Sequence, residues 1–148
     1  MALPEGLLQD EGGVLLVDKP QGWTSFDVVN KIRKIFHLKK VGHAGTLDPL
    51  ATGLLIVCSG KRLKAMELLM GLEKEYEGTM ALGMRTSSFD SETEVIERRS
   101  TDGISPEDIR RVFSEFTAEQ QQVPPMWSAV KVGGKPLYRY ARAGREVE

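Results

Sequence analysis

One cysteine and two histidines are all that 148 residues provide for sulfur and imidazole chemistry. A lone cysteine cannot form a disulfide within the chain. Cys58 also lies inside the apolar run Leu54-Leu55-Ile56-Val57-Cys58, which predicts a buried core thiol in a reducing compartment. His37, His43 and Cys58 are too few and too oddly spaced for a zinc site. No apolar stretch approaches the length of a membrane-spanning helix. The start Met1-Ala2-Leu3-Pro4-Glu5 has no basic region followed by an apolar one, so no signal peptide is expected and the chain reads as cytoplasmic. Gly60-Lys61 is followed by Arg62, and Leu55 stands where a phosphate-binding loop needs its first glycine, so that loop is excluded. No Gly-x-Ser-x-Gly nucleophile elbow occurs either.

What is present is enough hydrophobic residue, 41%, for one domain with a core. The net charge of −1 conceals an uneven distribution. Residues 19–64 carry nine basic groups against two acids, and residues 131–145 carry five basic groups and no acid. Residues 87–122 carry nine acids against four basic groups. Two basic blocks and one acidic block suggest one positive and one negative face, the former suited to a polyanion. Chance clustering on a solvated surface is the alternative.

The apolar pattern predicts α+β architecture, with strands and helices that do not alternate strictly enough for a doubly wound sheet. Val14–Val17 reads as a buried strand, and Asp18–Gly22 as a turn. Thr24 or Ser25 caps a helix running to about Phe36, with Phe26, Val29, Ile32 and Phe36 on its apolar face. Residues 39–53 read as a loop, Leu54–Cys58 as a second strand and Lys61–Met70 as a helix. Glu73–Met84 alternates, with Tyr76, Gly78, Met80 and Leu82 sharing one parity, and reads as a third strand. Glu94–Glu97 reads as a short strand. Ser105-Pro106-Glu107-Asp108 opens a helix that should bury Ile109, Val112, Phe113 and Phe116. Beyond Pro124-Pro125, Ala129–Val132 reads as extended and Leu137–Ala143 as a short helix ended by Gly144.

The segment Gly42–Gly53 is the most informative. Gly42, Gly45 and Gly53 permit close backbone approach or positive φ, and Asp48 precedes Pro49, which stiffens its backbone toward extended conformations. A single acid between Leu47 and Leu50 on such a loop suits a catalytic carboxylate. A turn aspartate bonded to its own backbone fits the same spacing. Similarly, Tyr76 is open to reading as a core aromatic of a strand, and His43 as a loop histidine satisfied by backbone.

Two strings bear on this choice. Residues 13–25, Gly-Val-Leu-Leu-Val-Asp-Lys-Pro-Gln-Gly-Trp-Thr-Ser, resemble the first motif of the TruB and dyskerin pseudouridine synthases. Residues 41–53, Val-Gly-His-Ala-Gly-Thr-Leu-Asp-Pro-Leu-Ala-Thr-Gly, resemble their second, more specific motif. Lys74-Glu75-Tyr76 is similar to a third motif, and Pro125–Lys131 with Tyr138–Gly144 to the thumb insertion of the bacterial TruB type. The resemblance extends from about residue 12 onward. It implies a mixed, largely antiparallel sheet flanked by helices, and isomerisation of the T-loop uridine of tRNA, position 55, to pseudouridine. It implies Asp48 as nucleophile and Tyr76 as stacking platform and general base for a flipped uridine, with His43 contacting the RNA. Lys19 and Pro20 would buttress the active-site loop, and Lys19, Lys131 and Arg142 would count among substrate-binding residues. No cofactor, metal, membrane or guide RNA is implied. The implied partner is the tRNA T-arm, and the full-length protein would be a monomer.

The same resemblance implies that residues 1–11 are a flexible terminus and 12–148 the amino-terminal part of a catalytic domain, with the thumb at about 124–148. A Lys-Gly-Thr-Tyr-Ile-Arg strand, whose arginine pairs with the catalytic carboxylate, and a carboxyl-terminal PUA domain are expected further along. Neither occurs here. By that reading the chain holds the nucleophile without its partner and is expected to be inactive alone.

Overall fold

The computed structural model describes residues 11–147. The flexible terminus expected at residues 1–11 lies, apart from Glu11, outside the described residues. Two compact units divide at Glu77/Gly78. Sheet pairing is antiparallel throughout, and the architecture is α+β as the sequence implies.

The first unit is a three-stranded sheet with one helix against it. Strand β1 (Val14–Lys19) pairs with β3 (Gly53–Ser59), which also pairs with β2 (Val41–His43), giving the order β1-β3-β2. Helix α1 (Ser25–Ile35) covers one face. Its start is fixed by a capping box: the Thr24 hydroxyl accepts from Asp27 N–H, and Asp27 accepts from the Thr24 backbone. The Thr24 hydroxyl and N–H, both donating to Asp27, hold that carboxyl below its ordinary range. Val28, Val29 and Ile32 meet Leu55 and Val57 of β3 in the core, with Leu15, Val17, Phe36, Val41 and Leu47 packed around them. Cys58 is fully buried, and burial pushes its thiol pKa up.

The buried face of α1 holds the expected Val29 and Ile32, with Phe36 packed beside them, but departs from expectation at its start. Ser25 and Val28 face inward, while Phe26 is 61% exposed. The expected loop 39–53 contains β2, because Val41–His43 finds ladder partners in β3, and a Cβ at Gly42 would lie 2.9 Å from the Met66 sulfur. The predicted helix 61–70 is instead a 3₁₀ stretch, Gly60–Ala65, followed by α2 (Met66–Met70). Lys74 closes α2 by donating from Nζ to the carbonyls of Met70 and Leu72.

The second unit holds two hairpins and two helices: β4 (Met84–Thr86) with β5 (Val95–Arg98), α3 (Pro106–Glu115), β6 (Lys131–Val132) with β7 (Lys135–Pro136), and α4 (Leu137–Ala141). The strand predicted over 73–84 is not formed. Only Met84–Thr86 finds a ladder partner, and a strand without one leaves its backbone groups unpaired. Helix α3 has the Ser105 capping box that its sequence predicts. Its apolar face is not buried, however. Val112, Phe113 and Phe116 are exposed, and with Met80, Leu82, Ile104 and Ile109 they line an open groove of about 650 Å³. Amphipathic spacing decides which side chains share a face, whereas burial depends on what packs over it.

Candidate active site

The loop that carries Asp48 is tied to the turn between β1 and α1, so the two sequence strings 13–25 and 41–53 form one structure. Three donors or acceptors from that turn reach the residues flanking Asp48. Gly22 N–H donates to Pro49 O at 2.7 Å. Lys19 Nζ donates to Pro49 O at 3.3 Å, and also to Pro20 O at 3.0 Å and Trp23 O at 2.7 Å. The Ser25 hydroxyl accepts from Leu47 N–H at 2.9 Å and donates to Leu47 O at 3.2 Å. Below the loop, β1 and β3 hold Lys19 opposite Gly53.

Asp48 itself is exposed. Its backbone carbonyl, rather than its carboxylate, closes the following turn by accepting from Ala51 N–H at 3.1 Å. Among the described residues its carboxylate makes no hydrogen bond or ion pair. The geometry therefore departs from that of a turn aspartate satisfied by its own backbone. The neighbour Leu47 packs on the core, and Leu50 is partly exposed. The result is an unengaged carboxylate on a backbone fixed on both sides, an arrangement able to approach an electrophilic carbon without rearranging the loop.

His43 ends β2 and is half-buried. Its Nδ1 lies 2.6 Å from Gly45 O. A carbonyl only accepts, so the contact requires Nδ1 to carry a proton and leaves Nε2 facing away from it. Gly45 makes this contact with φ of 121°, a conformation that side chains rarely adopt. An added Cβ would meet nothing within 4 Å, so any penalty at this position comes from the backbone alone. Gly45→Ala is accordingly expected to lower stability by about 1–3 kcal/mol in urea unfolding, with no loss of core packing.

Of the two roles that the resemblance implies for Lys19, its position fits the buttress of the loop and not substrate binding. It is fully enclosed, and its ammonium is aimed at three carbonyls. A phosphate cannot reach it, and what it does is hold the turn and the Asp48 loop together.

Residues 33–148 match the family described as "TruB family pseudouridylate synthase (N terminal domain)". The chain belongs to the TruB family. Among its relatives is the "tRNA pseudouridine synthase B" of Ralstonia nicotianae, 49% identical over 140 residues, which cover 95% of this chain and 44% of the relative. The protein of the same name from Geobacillus kaustophilus is 50% identical over 137 residues, 92% of this chain and 48% of the relative. This chain thus spans about half the length of the curated relatives it matches. A chain of a solved Cbf5-Nop10-Gar1 complex superposes on 82% of this chain and 32% of its own length, with a TM-score of 0.53 and 32% identity.

The other positions that the TruB resemblance singles out are less engaged. Tyr76 lies outside regular structure, is 73% exposed, and is tied to the Asp48 loop by no hydrogen bond among the described residues. In the second unit, Lys131 is exposed on β6. Arg142 follows α4, with its guanidinium 5.6 Å from the Tyr138 ring and 3.5 Å from a Glu92 carboxylate oxygen. That ion pair is solvated and weak, leaving the arginine able to change partners. Sequence reasoning missed Ser25 as a loop residue, treating it only as a candidate helix cap. The available signal was the pair Thr24-Ser25: one hydroxyl suffices for the cap, and the second is free for another task.

Proposed function

We propose that this chain supplies the catalytic loop of a tRNA pseudouridine synthase that isomerises the T-loop uridine, position 55, with Asp48 as nucleophile. The observation that carries the reading is the Asp48 carboxylate, unpaired in the fold while both its neighbours are pinned. The name shared by the relatives, tRNA pseudouridine synthase B, supports the substrate class.

The reaction breaks the N1–C1′ bond of uridine, turns the base and joins C5 to C1′, with the C5 proton lost to solvent. It is an isomerisation without redox change, so a nucleophile, a base and a binding surface suffice. Asp48 attacks from its fixed loop. The target base must leave the folded RNA loop to be reached, and this flipping costs a few kcal/mol. Stacking on Tyr76 recovers roughly 1–3 kcal/mol; C5 then displaces the Asp48 carboxylate from C1′, and the Tyr76 oxygen takes the C5 proton as its own hydroxyl proton passes to solvent. His43 fills the space beside the flipped nucleotide, while Lys131 and Arg142 meet phosphates.

The test is a chimera in which this chain replaces the matching 137 residues of the Geobacillus kaustophilus relative. A T-arm stem-loop labelled with tritium at uridine C5 should release its label without any guide RNA. A folded chimera that binds the stem-loop in a salt-dependent manner but releases no tritium would refute catalysis and leave an RNA-binding module.

A further inference from the structure

Ser25 is 2% exposed at the first position of α1, where an alanine would serve the helix as well. Its hydroxyl is engaged with neither the cap nor the α1 backbone. Both of its hydrogen bonds go to one residue, Leu47, whose N–H it accepts at 2.9 Å and whose carbonyl it meets at 3.2 Å. The Leu47 carbonyl belongs to the peptide plane that leads into Asp48. On the other side, Pro49 O is held by Gly22 N–H and Lys19 Nζ, and the Asp48 carbonyl by Ala51 N–H. The peptide planes before and after Asp48 are therefore both fixed, and Ser25 fixes the one before it.

We infer that Ser25 is a positioning residue: its hydroxyl sets the direction in which Asp48 presents its carboxylate. The consequence for turnover rests on the proposed function, whereas the clamp on Leu47 is a property of the loop alone. Removing the hydroxyl leaves the Leu47 N–H and C=O without a partner in an enclosed place, so the loop must rotate to find others. A misplacement of about 1 Å at a reacting group lowers a rate by about 100-fold.

Two measurements keep the inference and the proposed function apart. In this chain, amide hydrogen exchange by NMR reports the clamp. In Ser25→Ala, Leu47 N–H should exchange at least about tenfold faster, while Val28 and Leu55 in the core keep their protection. Ser25→Cys, which fills the same space but hydrogen-bonds weakly, should do likewise if the alanine variant fails to fold, and Ser25→Thr should restore protection. Unchanged Leu47 exchange in folded Ser25→Ala or Ser25→Cys overturns the inference whether or not the chimera is active. In the chimera, Ser25→Ala should lower the single-turnover rate about 10- to 100-fold with RNA affinity within about threefold, and Ser25→Thr should recover most of the rate. An active chimera whose turnover is indifferent to Ser25→Ala also overturns it. A wild-type chimera that never releases tritium refutes the proposed function and leaves the exchange result to decide on Ser25.

Discussion

Asp48→Asn in the chimera is expected to lower single-turnover tritium release by on the order of 10⁴-fold or more, the scale seen when a nucleophile is removed. RNA affinity should stay within about threefold, and rise if it changes at all, because one negative charge is lost beside a polyanion. The urea midpoint should not move. These three outcomes follow from one structural fact: the carboxylate has no partner among the described residues, while its backbone carbonyl closes the turn with Ala51. Asparagine keeps the size of the side chain and the backbone that holds it, and removes only the nucleophilic oxygen and its charge. Were Asp48 a structural turn residue, the pattern would invert, with lowered stability and near-normal turnover. Measuring all three on the same preparation distinguishes the cases, and near-normal release would remove Asp48 from the mechanism.

How much of this was legible in the sequence depends on the kind of information each residue carries. Strand β3 and helix α1 were placed within a residue or two, because an unbroken apolar run and a capping hydroxyl are local signals. Val29, Ile32 and Phe36 of α1 pack on the core as their spacing predicts, but Phe26 was placed there and Ser25 was not, because hydrophobic spacing reads serine as polar. Ser25 is inside because Leu47, far away in sequence, satisfies its hydroxyl. The alternation of Tyr76, Gly78, Met80 and Leu82 is truly strand-like, yet a strand is made by its partner, and within residues 73–84 only Met84, the first residue of β4, has one among the described residues. The face of α3 was identified correctly and its burial was not, for the same reason.

The candidate site divides along similar lines. Glycine, proline and a lone acid marked the Asp48 loop as a candidate, but the same spacing suits a turn aspartate, and only the family resemblance of residues 41–53 chose between them. The roles of Gly22 and Ser25 in holding that loop were not legible, since they act through contacts spanning more than twenty residues. Lys19 stands between the two: charge counting alone places it in a basic block, whereas the resemblance implies a buttress of the loop, and the three carbonyls that converge on it fit the buttress.

That convergence makes Lys19→Met the substitution with the largest expected effect on stability. Methionine matches the length of the stem and leaves the core filled, so the change isolates the ammonium. Pro49 O keeps its bond from Gly22 N–H, but Pro20 O and Trp23 O lose the Lys19 donor. A hydrogen bond from a charged donor contributes about 1.5–3 kcal/mol, so the two lost bonds together predict a loss of roughly 3–6 kcal/mol. Acting against this is the gain from no longer burying a charge that has no acidic partner among the described residues, a term that has made some buried ions dispensable. The lost bonds should prevail, because they come from one enclosed ammonium that ties the turn after β1 to the Asp48 loop. A net loss of about 3–4 kcal/mol in urea unfolding at pH 7 is therefore expected, with Lys19→Arg giving little rescue because a planar guanidinium cannot direct its donors as a compact ammonium does. An unchanged midpoint would mean that desolvation of the ammonium offsets its three bonds in full. In that case the residue would contribute to the geometry of the loop and not to the stability of the fold, a distinction that the Leu47 exchange rate in the same variant would make visible.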